Sequence, residues 1–168
     1  MDMLNDPAMK EIVNDFCDES VELFNELEAT LEVLEDDPTA NKELENFGQI
    51  IDRVMGAARS VGAEEVATFC ELGKTIGYKS SQVNDEALIE VVTAILFDSV
   101  DLLRKMIDQI KTGKAHALGG LNTKAFVTRL NWLSDKFKDI ERSSCAYKED
   151  SKNLSQSSID DLMASLGL

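Results

Sequence analysis

The stretch Ile12–Pro38, IVNDFCDESVELFNELEATLEVLEDDP, decides the fold class of this chain. Its apolar residues recur every three or four positions, which is the spacing of one face of an α-helix. They are Ile12, Phe16, Leu23, Leu27, Leu31 and Leu34. Asp6 followed by Pro7 is typical of a helix start, and Pro38 ends the pattern. The stretch therefore predicts a long first helix with one buried face.

Four further segments show the same periodicity, and no segment has the alternation of a strand. They span about 42–60, 64–76, 85–111 and 123–141, and a loop is expected from Gly77 to the fourth helix. Long amphipathic helices with short connections are typical of an antiparallel up-and-down bundle. We therefore expect an all-α fold over residues 1–142: a four-helix bundle followed by a fifth helix.

The composition excludes several classes of partner. The net charge is −15 and the pI is about 4.4, which argues against nucleic acid and anionic membrane surfaces. The three cysteines are far apart and odd in number, which favours a reducing compartment. The N-terminus has no apolar signal-peptide run, and no apolar stretch is long enough to span a membrane. We expect a cytoplasmic protein with no metal or cofactor of its own.

The C-terminal segment SQSSIDDLMASLGL, residues 155–168, follows a polar stretch without apolar periodicity. Its apolar residues fall at i, i+3, i+4 and i+7, as one face of a short helix requires; they are Ile159, Leu162, Met163 and Leu166. We expect a flexible linker over 143–155 and a tethered amphipathic helix over 156–168 that stands apart from the core. The alternative is a helix that packs on its own bundle.

The second helix carries an unusual polar stripe. In LENFGQIIDRVMGAARSVGA, residues 44–63, the spacings 4, 3 and 4 place Glu45, Gln49, Asp52 and Gly56 on one face, opposite the apolar face. Glycine in mid-helix costs about 1 kcal/mol relative to alanine. A bare backbone there allows another protein to approach closely. The alternative is a solvated polar face that tolerates a glycine.

The first and second helices resemble those of the histidine-phosphotransfer (Hpt) domain of the chemotaxis kinase CheA, and the resemblance covers about residues 9–112. The first helix resembles the family's Glu- and Leu-rich helix that ends in Asp-Pro, and GAARSVGA aligns Gly56 and Gly62 with family glycines. Asp52 then stands at the phosphorylated histidine, Gln49 at the usual arginine and Met55 at the usual lysine. The resemblance implies an Hpt fold that has lost its phosphorylated histidine but keeps a surface, including Gly56, for docking a receiver domain.

The C-terminal SIDDLMASLGL resembles the end of the chemotaxis phosphatase CheZ, and also the Ile-Asp-x-Leu-Leu element of flagellar switch proteins. Both elements bind CheY-type receivers. The resemblance implies that the tail helix captures such a receiver; the contacting residues would be Ile159, Asp160, Asp161, Leu162, Met163 and Leu166. A tethered helix of this kind raises the local concentration of a weakly docking bundle.

Together these resemblances imply a phosphatase for the aspartyl phosphate of a CheY-type response regulator. The receiver supplies the phospho-aspartate, a Mg²⁺ and a lysine, so the phosphatase needs only to orient a water. CheZ uses an acidic residue four positions before a glutamine, and Glu45 and Gln49 have that spacing. We expect Gln49 to orient the water and Glu45 or Asp52 to pair with the receiver's lysine. Asp108 and Gln109 are an alternative pair.

Two other functions remain open from the sequence. The chain is alternatively a non-catalytic adaptor that binds or localises a receiver, or a structural bundle unrelated to signalling. Its only histidine, His116, lies in a glycine-rich loop rather than on the second helix, where the resemblance would place the phosphorylated residue. The phosphatase and the adaptor would share the same docking surface and differ only in whether phosphate is released faster.

Overall fold

The computed structural model describes residues 3–114, 116–143 and 156–168. These residues form six α-helices and no strand, which confirms the all-α prediction. The helices are α1 (Lys10–Asp36), α2 (Lys42–Ser60), α3 (Glu64–Ser81), α4 (Glu86–Lys111), α5 (Lys124–Ser143) and α6 (Gln156–Leu166). Two short 3-10 turns, Met3–Asn5 and Pro7–Met9, precede α1, and the Asp6 carboxylate caps the second of them by accepting from the Ala8 N–H.

Helices α1 to α4 form the bundle, each packing on the two neighbours expected for up-and-down connectivity. The largest fully buried side chains include Phe24 from α1, Phe47 from α2 and Phe69 from α3, so one apolar core lies between the helices. An ion pair between Arg104 of α4 and Glu28 of α1, 2.8 Å long, joins the first helix to the last at the bundle surface.

The apolar face of α1 begins at Val13 rather than at Ile12. Val13 is 5% exposed, whereas Ile12 is 51% exposed, so the prediction of Ile12 as a core residue is wrong. Spacings of three and four residues both satisfy a helical stripe, and Val13 and Ile12 lie three and four positions before Phe16. Periodicity alone therefore does not distinguish them; packing selects Val13.

Helix α3 continues to Ser81, through the segment predicted as a loop from Gly77. Gly77 is buried, and a Cβ placed on it would lie 3.7 Å from the Phe47 ring and 3.9 Å from the Leu44 carbonyl oxygen. A Cβ there would make only ordinary van der Waals contacts, so Gly77 lies inside the α2–α3 interface and does not end the helix. The next helix starts later than predicted, at a cap formed by the Asp85 carboxylate, which accepts from the Leu88 N–H.

Helices α5 and α6 pack on the bundle. Phe126 of α5 stacks on Phe69 of α3 with ring centroids 5.5 Å apart. Helix α6 contacts α3 and α5, and its Ile159 and Met163 are only 1% and 6% exposed. The expectation that the tail helix stands apart from the core is therefore wrong, because its apolar face already covers its own bundle. Residues 144–155 of the predicted linker lie outside the described residues.

Candidate functional site

The polar stripe of α2 faces outward, opposite the side of the helix that enters the core. Glu45, Gln49 and Gly56 are exposed, and the side chain of Asp52 retains 44% of its accessible surface. The buried side of the helix comprises Leu44, Phe47, Ile51, Val54 and Ala58. The structure thus brings together all four stripe residues that the sequence placed on one face.

Asp52, at the centre of the stripe, is held by a lysine from the neighbouring helix. The Lys74 ammonium of α3 donates to both carboxylate oxygens of Asp52, at 2.8 and 2.9 Å. Both side chains are nearly half exposed, so a pair of this kind adds at most about 1 kcal/mol of stability. Its main effect is positional, since it fixes one cation and one anion at the boundary between α2 and α3.

Two glycines leave the backbone bare on either side of Asp52. Gly48 and Gly56 lie four residues before and after it, and a Cβ placed on either would meet no atom of the described residues within 4 Å. Packing against those residues therefore requires neither glycine, although each costs about 1 kcal/mol of helix stability relative to alanine. An approaching protein could reach the α2 backbone one turn above and one turn below the Asp52 side chain.

Gln49 and Glu45 extend the site toward the start of α2. Within the part of the chain that the structure describes, neither side chain has a hydrogen-bond or ion-pair partner. The Gln49 amide offers two N–H donors and an oxygen acceptor without a net charge. It can therefore bind a water molecule and stay close to an anion without repelling it.

Surface ion pairs connect α2 with both neighbouring helices. Arg53 pairs with Glu26 of α1 and Arg59 pairs with Glu71 of α3, each at 3.4 Å. Such exposed pairs are individually weak, at roughly 0 to 1 kcal/mol. They link α2 to α1 on one side of the stripe and to α3 on the other.

The alternative pair, Asp108 and Gln109, does not form a comparable surface. Gln109 is 6% exposed, and its amide nitrogen donates to the Gly119 carbonyl oxygen at 3.0 Å. Its amide oxygen is buried without a partner among the described residues. Gln109 therefore anchors the loop after α4 and is not available to orient a water for a bound partner.

The histidine of the chain does not belong to the stripe. His116 is exposed in the loop between α4 and α5, where its Nδ1 lies 3.2 Å from a Glu65 carboxylate oxygen. The other oxygen of Glu65 accepts from the Leu118 N–H at 3.0 Å. These contacts hold the loop against the start of α3, while α2 itself carries no histidine.

The tail residues expected to contact a receiver are divided between the bundle and solvent. Ile159 and Met163 are buried, Leu162 and Leu166 are partly buried, and Asp161 is exposed.

Asp160 of the same helix is engaged with α5. Its carboxylate accepts from the Ser134 hydroxyl at 3.1 Å and lies 3.5 Å from the Lys138 ammonium. In this arrangement the apolar face of α6 is occupied by its own chain.

Sequence reasoning missed Gly48 and Lys74. Gly48 could have been found from helical spacing, since it lies one turn from Asp52 on the same helix. Lys74 had no local signal, because its position depends on how α3 aligns with α2.

The structure defines the chain as an up-and-down helical bundle whose second helix presents an exposed polar stripe. Comparison with protein families then identifies the family. The Hpt domain family matches residues 11–113, more than half of the chain, so this chain belongs to that family. Comparison with curated proteins and with solved structures gives no match. Family membership connects the chain with phosphotransfer-related two-component signalling, in which Hpt domains interact with receiver domains.

No described helix is long and apolar enough to cross a membrane. The described residues also contain no cluster of histidine, cysteine, aspartate and glutamate that could hold a metal ion.

Proposed function

We propose that this chain binds the phosphorylated receiver domain of a CheY-type chemotaxis response regulator through the α2 stripe and accelerates hydrolysis of its aspartyl phosphate. The observation that carries the proposal is the exposed Gln49 amide, which lies on the same face of α2 as Asp52 and has no partner among the described residues. In the CheA-type alignment Asp52 occupies the place of the phosphorylated histidine. A carboxylate there cannot form the phosphoimidazole that phosphotransfer needs, so the docking surface is free for another use.

In this mechanism Gln49 orients one water in line with the phosphorus atom. Attack of the water forms a new P–O bond and breaks the bond between phosphorus and the aspartyl oxygen. Inorganic phosphate leaves, and the receiver's carboxylate is regenerated. The receiver supplies the Mg²⁺ and the lysine that bind the phosphoryl oxygens, so the contribution of this chain is positioning, which dominates catalysis of phosphoryl transfer.

The carboxylates of the stripe take different parts. Asp52 is already paired with Lys74, whereas Glu45 has no partner in the described part of the chain. Glu45 is therefore the residue we assign to the receiver's lysine, four positions before Gln49. Asp52 would hold Lys74 near the phosphoryl group, and Gly56 would allow the receiver to approach the backbone.

Helix α6 is the second proposed contact with the receiver. Its resemblance to the receiver-binding end of CheZ supports this role, which rests on Ile159, Asp160, Asp161, Leu162, Met163 and Leu166. Binding through the apolar face requires α6 to leave α3 and α5, since Ile159 and Met163 are buried there. The tail would thus engage only after the bundle has brought the receiver close.

The test measures phosphate release from a purified phospho-receiver of the CheY type with and without this chain. Gln49→Ala should reduce the acceleration about ten- to a hundredfold, equivalent to about 1.4 to 2.7 kcal/mol of barrier, with receiver affinity nearly unchanged. Asn46→Ala is the matched control, because Asn46 is an exposed amide of α2 outside the stripe that hydrogen-bonds Glu43. Equal release by wild type and Gln49→Ala would remove Gln49 from the mechanism.

The second candidate function is a non-catalytic adaptor that binds or localises a receiver. Two features favour this function. The Asp52 carboxylate is already paired with Lys74, and α2 carries no histidine, so both features are compatible with binding alone. Receiver binding without faster phosphate release would establish this function in place of the phosphatase. A His116→Ala variant with unchanged behaviour would show that the loop histidine carries no phosphoryl group in either case.

A further inference from the structure

Lys74 of α3 brings a positive charge to the centre of the α2 stripe. The other basic residues of α2 and α3 are engaged or placed elsewhere. Arg53 and Arg59 pair with carboxylates outside the stripe, and Lys79 is buried. Lys42 lies at the first position of α2, almost three turns before the middle of the stripe. Lys74 is therefore the basic residue that these two helices place at that point.

The Asp52 carboxylate uses only part of the hydrogen-bonding capacity of Lys74. An ammonium has three N–H donors, and that of Lys74 donates to the two Asp52 oxygens at 2.8 and 2.9 Å. It has no other acceptor among the described residues, and its side chain is 43% exposed. At least one N–H donor is therefore open to an incoming acceptor. Because Asp52 already restrains the long lysine side chain, less conformational entropy is lost when that acceptor binds.

The negative charge of the chain makes a local cation important for any anionic ligand. The net charge is −15, and the stripe itself carries Glu45 and Asp52, so a phosphoryl group on a docked protein would be repelled. A phosphoryl group adds negative charge and strong acceptor oxygens. A charge-assisted hydrogen bond from an ammonium to such an oxygen acts against this repulsion. The pair of Lys74 and Asp52 has no net charge, so it offers a donor without an uncompensated carboxylate.

We propose that Lys74 is the contact by which this chain distinguishes a phosphorylated receiver from an unphosphorylated one. Its open N–H donates to a phosphoryl oxygen, while Asp52 holds the ammonium in place. Gln49 is uncharged and so does not supply this selectivity. The inference rests on the proposed docking of a receiver on the α2 stripe, but it does not require that phosphate be released.

The test measures the affinity of the full chain for a purified CheY-type receiver in Mg²⁺, with and without beryllofluoride, a phosphoryl analogue that binds the receiver's aspartate. Because the analogue yields no inorganic phosphate, the titration reports binding independently of catalysis. Wild type should bind the beryllofluoride form at least about tenfold more tightly, as one charge-assisted hydrogen bond allows. Lys74→Met should lose this preference and bind the unmodified receiver as wild type does. Lys74→Arg should keep most of it, since a guanidinium retains the charge and has further N–H donors.

Two further variants separate a direct contact from a general charge effect. Lys111→Met is the matched control, because Lys111 of α4 also pairs with an aspartate of a neighbouring helix, Asp18 of α1, and is half exposed. It should keep the wild-type preference. The double variant Asp52→Asn with Lys74→Met has the net charge of wild type and should still lack the preference. Recovery in the double variant would mean that Lys74 acts only by neutralising Asp52, which overturns the proposal.

The remaining outcomes distinguish this inference from the proposed function. Equal preferences in wild type and Lys74→Met, or a wild type that binds both forms equally, overturn the role of Lys74 and leave receiver docking intact. A wild type that binds neither form overturns the docking itself and this inference with it. A preference that disappears in Lys74→Met supports the inference even without faster phosphate release, since that result removes only the phosphatase.

Discussion

Replacing Ile159 with alanine should lower the free energy of unfolding by about 2 to 3 kcal/mol, although the residue lies nine positions from the end of the chain. Ile159 is 1% exposed where α6 packs on α3 and α5. The change removes three carbon atoms, at about 0.8 kcal/mol each, and leaves a cavity that the neighbouring helices fill only in part. A loss of this size corresponds to a fall in melting temperature of about 5 to 10 °C for a chain of this length.

The matched control is Ile12→Ala, the same substitution at a residue that is 51% exposed on α1. Because half of its surface remains in water in the folded state, its loss should stay below about 1 kcal/mol. Both variants are compared by urea denaturation with linear extrapolation to water.

Deletion of residues 155–168 should cost at least as much as Ile159→Ala, because deletion removes every contact of α6. The sequence argument for a tethered tail predicts the opposite result, an unchanged bundle. Losses for Ile159→Ala no larger than those for Ile12→Ala would refute the docked arrangement of α6.

Two further predictions concern α2 and the buried thiol of α3. Gly56→Leu should raise the free energy of unfolding by up to about 1 kcal/mol, since a Cβ there meets no neighbour among the described residues. The added bulk should weaken receiver binding. Urea denaturation measures the first effect and a receiver titration the second, and Gly56→Ala should show a smaller loss of binding. Burial raises the pKa of the Cys70 thiol above its usual 9.0, so the stability that this protonated thiol contributes is present below pH 9 and is lost as the pH rises further. Relative to Cys70→Ala, wild type should therefore lose stability between about pH 9 and 10.5, as measured by urea denaturation; parallel curves would contradict this.

Much of the bundle could be predicted because its helices are long and strongly periodic. Helix α2 begins and ends where its pattern indicates, at Lys42 and Ser60. The end of α3 could not be predicted in this way, because Gly77 has the sequence signature of a helix end. In the structure Gly77 is instead buried between α2 and α3, and its packing against another helix is not contained in the periodicity of α3.

The candidate site shows the same division between local and non-local information. The stripe of Glu45, Gln49 and Asp52 could be predicted, since spacings of three and four residues on one helix determine which side chains share a face. The ion pair between Asp52 and Lys74 could not, because it depends on the alignment of α2 against α3. The burial of Gln109 depends likewise on the loop that returns Gly119 to α4.

The docked position of α6 sets the order in which a receiver would engage the two proposed contacts. Burial of Ile159 and Met163 stabilises the docked helix, and a release cost of about 3 kcal/mol would leave less than one molecule in a hundred with the tail free. The affinity of the tail for a receiver would then be about two orders of magnitude below that of the free peptide. An isolated helix of eleven residues is also marginal in water, so a released tail must become ordered again when it binds a receiver. The α2 stripe pays no such cost, because its residues are exposed before any partner arrives. A receiver would therefore dock on α2 first, and the resulting high local concentration would allow it to compete with the bundle for α6.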